Sequence, residues 1–377
     1  MAGIYLHIPF CRKACNYCDF YFSVNLQNAD ALVDAICVEI LLRKEELKDQ
    51  TIETIYFGGG TPSLLHYAQL QKIFNELHSH FLVSPLAEIT MEANPDDLTL
   101  AKLKEIKALG FNRLSIGIQS FVDEHLIWMN RAHTSSEAVS SVKQAQDIGI
   151  SNISIDLIYG FPMLHNNQWL NNLKLTESMG IKHLSSYSLT VEEGTKLALD
   201  IQKGKTANTN EDQSAINMQM LMDFAEQTGF EHYEISNFCK PGFESKHNSS
   251  YWDYKPYLGL GPSAHSFTNR IRKHNIRNLK KYIQNCNARL VSYKSEELTS
   301  TQQFNEFVIT ALRKRSGLDL SAIELHFGME MMRYLEQAID SPQLKELLNR
   351  SNQHSISLSR KGMMLADYVM LQLIKCP

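Results

Sequence analysis

Apolar and polar positions over residues 1–235 follow two alternating rhythms. Short, dense apolar runs read as buried strands: one beginning by Ile4 and ending at Pro9, then residues 52–57, 87–92, 113–118, 153–159 and 183–189. Between them apolar residues recur at helical spacing. Leu32, Ile36 and Ile40 share one face, with Asp30 placed to cap that helix. Further helices are predicted over residues 67–80, 99–109, 135–148 and 169–179. Gly110 and Gly149 stand where two of them should stop.

Regular β–α alternation predicts a parallel sheet covered by helices. Roughly six units suit an incomplete barrel better than a closed eight-fold one. Past residue 270 the rhythm becomes helical over residues 279–290, 304–312 and 323–325, with Asp319 or Ser321 as cap. A short strand over 356–358 and a helix over 363–374 close the chain. The expected fold is therefore α/β: a partial (β/α)6-type TIM barrel with a small α-rich C-terminal domain. Its parts are residues 1–235, a connecting segment 236–270, and residues 271–377.

Bulk composition narrows the function. The 377 residues exceed the size at which one core usually stops growing, which agrees with two domains. A net charge of −4 lacks the basic footprint of a non-specific nucleic-acid binder. No apolar run reaches the length of a membrane span, and a strand starting by Ile4 leaves no room for a signal peptide. Seven cysteines without framework spacing fit a reducing cytoplasm. Cys37, Cys239, Cys286 and Cys376 read as simple buried or surface thiols.

The other three cysteines carry the chemistry. Cys11, Cys15 and Cys18 follow directly on the first strand, spaced CxxxCxxC. Three thiolates in so short a loop can converge on one soft metal centre. A four-iron cluster held by three cysteines keeps one iron open to an exchangeable ligand. The plainer alternative is a structural zinc with His7 as fourth ligand. His7 lies within the strand, however, and no second CxxC or HxxxH pair follows.

Active sites of parallel barrels lie at the carboxyl ends of the strands. Polar and glycine residues cluster there: Gly58-Gly59-Gly60-Thr61-Pro62 after the second strand, Glu92 at the third and Gln119 at the fourth, while Asp156 lies within the fifth. The glycines permit close backbone approach, and a plain tight turn would use them equally well. His247-Asn248-Ser249-Ser250-Tyr251-Trp252 places an imidazole beside paired aromatics in a polar, loop-like stretch. An exposed imidazole can ligate heme iron and flat rings suit a porphyrin, although a loop histidine is more often a hydrogen-bonding residue.

These motifs carry a resemblance. CxxxCxxC after a first strand, with Tyr17 before the third cysteine, resembles the radical S-adenosylmethionine (SAM) superfamily. The fuller HIPFCxxxCxYCDF is similar to the oxygen-independent coproporphyrinogen III oxidase-like group, especially its HemW heme-chaperone branch. The resemblance implies a [4Fe-4S] cluster on Cys11, Cys15 and Cys18 whose open iron is chelated by SAM. Gly59, Gly60, Thr61 and Glu92 fall at family positions for cluster-bound SAM. Gln119, Arg131 and Asp156, in IGIQSF, NRAHT and IDLIYGFP, also match positions that touch a SAM molecule. Tyr5 and Tyr17 match positions lining the same site.

HNxxYW marks the heme-chaperone branch and implicates His247, Asn248, Tyr251 and Trp252 in heme binding, with His265 as a weaker alternative ligand. The oxidase branch carries a further cysteine two residues after the third cluster ligand; here that residue is Phe20. The resemblance thus implies a heme chaperone that passes heme to an acceptor protein. The alternatives are the decarboxylating oxidase or another radical SAM enzyme acting on a tetrapyrrole. Transient association with a membrane surface remains compatible with either.

Overall fold

The computed structural model describes residues 2–352 and 354–376. Six strands form its centre: β1 (Ala2–Ile8), β2 (Thr51–Gly59), β3 (Leu82–Ala93), β4 (Arg113–Gln119), β5 (Ile153–Tyr159) and β6 (His183–Ser188). They pair side by side in chain order, every pair parallel. In β5, Ile153, Ile155 and Leu157 belong to the apolar core, while Ser154 and Asp156 alternate with them. A strand's side chains alternate between faces, so one face packs under the helices and the other carries polar groups. Ser154 Oγ lies 2.7 Å from His183 Nδ1 on β6, one contact among those polar groups.

The predicted helices form as Ala29–Arg43, Tyr67–His80, Leu100–Ala108, Ser135–Asp147 and Asn166–Ser178. Thr99 and Thr134 cap two of them through their hydroxyls. Asp30 is not a cap. The first helix starts two residues earlier than an Asp30 cap would place it, with Asn28 at its N-cap position, and Asp30 accepts a bond from Gln69 Nε2 at 2.7 Å. Four helices on the barrel side were not among those expected: Asp123–Trp128, Lys196–Gln202, Glu211–Thr228 and Lys246–Trp252.

The sheet also extends well past the six strands. β7 (Glu231–Glu234) and β8 (Asn237–Cys239) add beyond β6, with β8 antiparallel to it. On the opposite edge β9 (Tyr257–Leu260) runs parallel to β1, followed by antiparallel β10 (His265–Thr268), β11 (Ile271–Asn275) and β12 (Tyr293–Glu297). The twelve strands make one open sheet in which β1 and β6 are not neighbours. Residues 236–270 thus supply strands to both edges.

A second apolar cluster runs from Phe304 to Leu373, separate from the barrel core. It holds helix Ser300–Arg313, the helical stretch Leu320–Ile339 broken by a kink at Gly328 (φ +82), and the small sheet β13 (Leu318–Asp319), β14 (Leu348–Asn352), β15 (Ser355–Leu358). Asp319 caps the second helix through Ser321 N at 2.8 Å, as one of the two predicted residues should. The single helix expected at the end is two, Arg360–Met364 and Ala366–Leu373. Among the described residues no helix is long and apolar enough to cross a membrane.

Candidate functional site

The loop after β1 is held against the mouth of the barrel by backbone bonds. Gly60 N donates to Ile8 O at 2.9 Å and Thr61 N to Phe10 O at 2.6 Å, tying β2's end to the start of the cysteine loop. Gly60 is needed for that approach, because a Cβ there would lie 2.6 Å from Phe10 O. Gly59 has φ +104 and packs on the His7 ring, where a Cβ would come within 2.5 Å. The glycines therefore serve a backbone-to-backbone junction. On its other side the loop is pinned by Asn16 N to Met129 O (3.2 Å), Asn16 Nδ2 to Trp128 O (2.7 Å) and Asn130 Nδ2 to Ala14 O (2.7 Å).

These anchors bring the expected cluster and SAM residues to one cavity of about 480 Å³. Cys11, Cys15, Cys18, Tyr17, Gly59, Gly60, Thr61, Glu92, Gln119, Arg131 and Asp156 all line it. The three cysteines are free thiols. Thr61 Oγ1 lies 3.8 Å from Cys11 Sγ, and Arg131 Nη1 lies 3.2 Å from Cys15 Sγ. Burial pushes the Cys11 and Cys18 thiols up to about 11. Among the described residues no His, Cys, Asp and Glu side chains gather tightly enough to enclose a single metal ion. Three soft sulfurs lining one roomy cavity fit a four-iron cluster.

Arg131 is the hub of the cavity wall. Its Nη2 donates to Asn94 Oδ1 (2.6 Å) and Gly117 O (2.7 Å), and Asn94 Nδ2 donates to Thr61 Oγ1 (3.1 Å). Buried Arg131 Nε has no partner among the described residues, so a donor stands unmet beside the cavity. Asn94 also lines the cavity. It was legible only as a polar residue just past a strand end.

The two carboxylates differ in setting. Glu92 accepts from Tyr56 Oη at 2.8 Å and Gly59 N at 3.0 Å; burial drives its pKa up to about 7, against the pull of the Tyr56 bond. Asp156 accepts from Ser115 Oγ at 3.3 Å, and burial raises it to about 6 despite a bond from Ser185. Gln119 sits at φ +67, a left-handed backbone that ends its strand abruptly.

A second cavity, of about 580 Å³, lies beside the first. It is framed by β1, the segment 19–21, the helix Lys246–Trp252, and the β9–β11 edge. Tyr5 lines this cavity rather than the first, and Asp19 and Phe20 line both. Phe20 is 66% exposed, unusual for a phenyl ring at a cavity mouth.

The HNxxYW stretch divides. Tyr251 and Trp252 reach this second cavity; His247 and Asn248 are not among its lining. The loop-borne, exposed imidazole expected at 247 is instead helical and 1% exposed. Glu88 accepts His247 N (3.0 Å) and Lys246 N (3.1 Å), placing a carboxylate on the helix N-terminus. That pulls the imidazole inward, where Nδ1 lies 2.7 Å from Thr54 Oγ1 and Nε2 lies 2.8 Å from Tyr251 Oη. Burial lowers its pKa to about 3, so the ring is neutral.

Comparison with known proteins agrees with this geometry. Residues 5–176 match the Radical SAM superfamily and residues 298–365 the HemN C-terminal domain. The chain is 34% identical to heme chaperone HemW of Bacillus subtilis (strain 168) over 98% of each chain. It is 33% identical to heme chaperone HemW of Mycobacterium tuberculosis (strain ATCC 25618 / H37Rv), covering 85% of this chain and 84% of that one. Its fold overlays coproporphyrinogen III oxidase (HemN) from Escherichia coli with a TM-score of 0.85 at 24% identity, covering 99% of this chain and 90% of the other. End-to-end identity of this order, together with three thiols and a glycine junction at one barrel mouth, places the chain in the radical SAM superfamily, within the HemW branch of the coproporphyrinogen III oxidase-like group.

Proposed function

We propose that this chain is a cytoplasmic heme chaperone, which holds heme and passes it to an acceptor protein. In this reading Cys11, Cys15 and Cys18 hold a [4Fe-4S] cluster, and SAM fills the cavity bounded by Tyr17, Gly59, Gly60, Thr61, Glu92, Gln119, Arg131 and Asp156, while Tyr5 lines the neighbouring cavity. Bound there, the cluster and SAM supply radical chemistry. The chain's own part is to anchor the loop, donate from Arg131, and offer two carboxylates whose charge responds to their surroundings. Residues 1–235 carry this site, 236–270 bring heme-facing aromatics, and 271–377 complete the molecule.

The observation that carries the heme assignment is the second cavity. Its volume suits a large flat ligand, and Tyr251 and Trp252 stand in its wall. His247 and Asn248 belong to the helix that presents them. Purification without oxygen, with iron, sulfide and heme quantified on one sample, tests the reading. Heme retained beside about four non-heme irons per chain is the expected result, followed by heme loss on mixing with an apo-acceptor. Protein that retains no heme would remove the basis of the assignment.

The oxidase reading predicts protoporphyrinogen from coproporphyrinogen III under dithionite. Phe20, in place of the oxidase cysteine, argues that none forms.

A further inference from the structure

We infer that the heme iron is ligated by His265, at the start of β10, and that His247 is a positioning residue which holds Tyr251 in the wall. This inference rests on the heme-chaperone reading and specifies its site.

Two imidazoles line the larger cavity, His7 and His265. His7 is 5% exposed and committed on both sides: Nε2 lies 3.0 Å from Tyr21 O and Nδ1 lies 3.2 Å from Tyr5 Oη. His247 is also committed on both sides and lies behind the wall. Using either as a ligand would leave a buried partner unmet, which costs about 1–3 kcal/mol. His265 carries no such commitments. It is exposed, it lines the cavity, and neither ring nitrogen enters a hydrogen bond among the described residues. Its neighbour across the β10–β11 pair is His274, with ring centroids 5.6 Å apart. Partial burial and the nearby His274 and Arg272 lower its pKa, so a ring nitrogen carries a free lone pair at neutral pH.

The surroundings suit a dianionic porphyrin. Tyr251, Trp252, Tyr257 and Phe267 give flat apolar walls, and buried Trp252 Nε1 has no partner among the described residues. Lys255, Arg272 and Arg277 stand at the rim for the propionates. Arg272 is now paired with Glu306 at 2.9 Å and Lys255 with Asp253 at 3.3 Å, while Arg277 Nη2 donates to Asp19 O at 2.6 Å. Solvent-exposed pairs of this kind are worth under about 1 kcal/mol, so they can be exchanged for propionates. A carrier must also surrender its cargo, and an iron ligand at the open rim can be replaced by an acceptor's own.

The test uses the full chain titrated with ferric heme, read by absorption and electron paramagnetic resonance. His265→Ala is expected to weaken binding by about tenfold or more and to abolish the axial imidazole signature. Added imidazole should restore that signature in His265→Ala, and His265→Met should replace it with a thioether one. His247→Ala should weaken binding while keeping the signature. The assignment is overturned if His265→Ala keeps the wild-type spectrum, or if His247→Ala loses it and regains it with imidazole. Wild type that binds no heme overturns the chaperone reading itself, a result distinct from either.

Discussion

Glu92 shows how one buried acid makes the site pH-responsive. Its folded-state pKa of about 7 lies above the ordinary 4.5. The folded chain therefore holds a proton that the unfolded chain has released between those values. Stability from this group is present at low pH and is lost as pH rises through 7. Glu92→Gln should gain on wild type by about 1–3 kcal/mol between pH ~5 and ~8, read from denaturant midpoints. His247 has the opposite sign. Its pKa is lowered to about 3, so the unfolded state binds the extra proton and stability falls as pH drops below about 6.5. His133 and His232, each lowered to about 4 by burial, act in the same direction. Acid unfolding followed by circular dichroism should begin at lower pH in His247→Gln than in wild type.

At the scale of elements, the junction of β1, the cysteine loop and β2 sets the site. Gly60→Ala should cost about 1–3 kcal/mol and lower iron content after reconstitution, because the added methyl meets Phe10 O and Ile8 O. Gly110→Ala makes a useful contrast: φ is +92 but nothing lies within 4 Å, so only the backbone term of about 1–2 kcal/mol applies. The loop and the six parallel strands were readable in the sequence because each is a local signal. Spacing of cysteines, β-rich runs and C-terminal glycines all act over a few residues.

What escaped was non-local. β9 pairs with β1 across some two hundred and fifty residues, and no periodicity in Tyr257–Leu260 announces that partner. The burial of His247 escaped for a related reason. Its helix has seven residues and no apolar stripe, and what draws the imidazole inward is Glu88 on β3 and Thr54 on β2. His265 was visible as a residue, but that its ring nitrogens enter no hydrogen bond among the described residues emerges only once β10 and β11 are placed.

For the whole molecule, Arg313 joins the C-terminal helices to the barrel. Its guanidinium stacks over Trp252 at 4.5 Å and lies 3.8 Å from the fully buried Glu234. Removing it leaves the buried carboxylate without its neighbouring cation, held by Ser236 N and Asn237 Nδ2, so Arg313→Ala should destabilise the chain by about 1–3 kcal/mol. Arg313→Ala/Glu234→Gln should recover part of that loss, and a double-mutant cycle on unfolding free energies measures the share.

Asp19 and Phe20 line both hollows, so one short segment is common to the two walls. Linkage is reciprocal. If SAM on one side tilts that ring, heme on the other gains or loses affinity by a given factor, and SAM's own grip changes by the same factor. On the proposed reading, the affinity for SAM then reports whether heme is loaded.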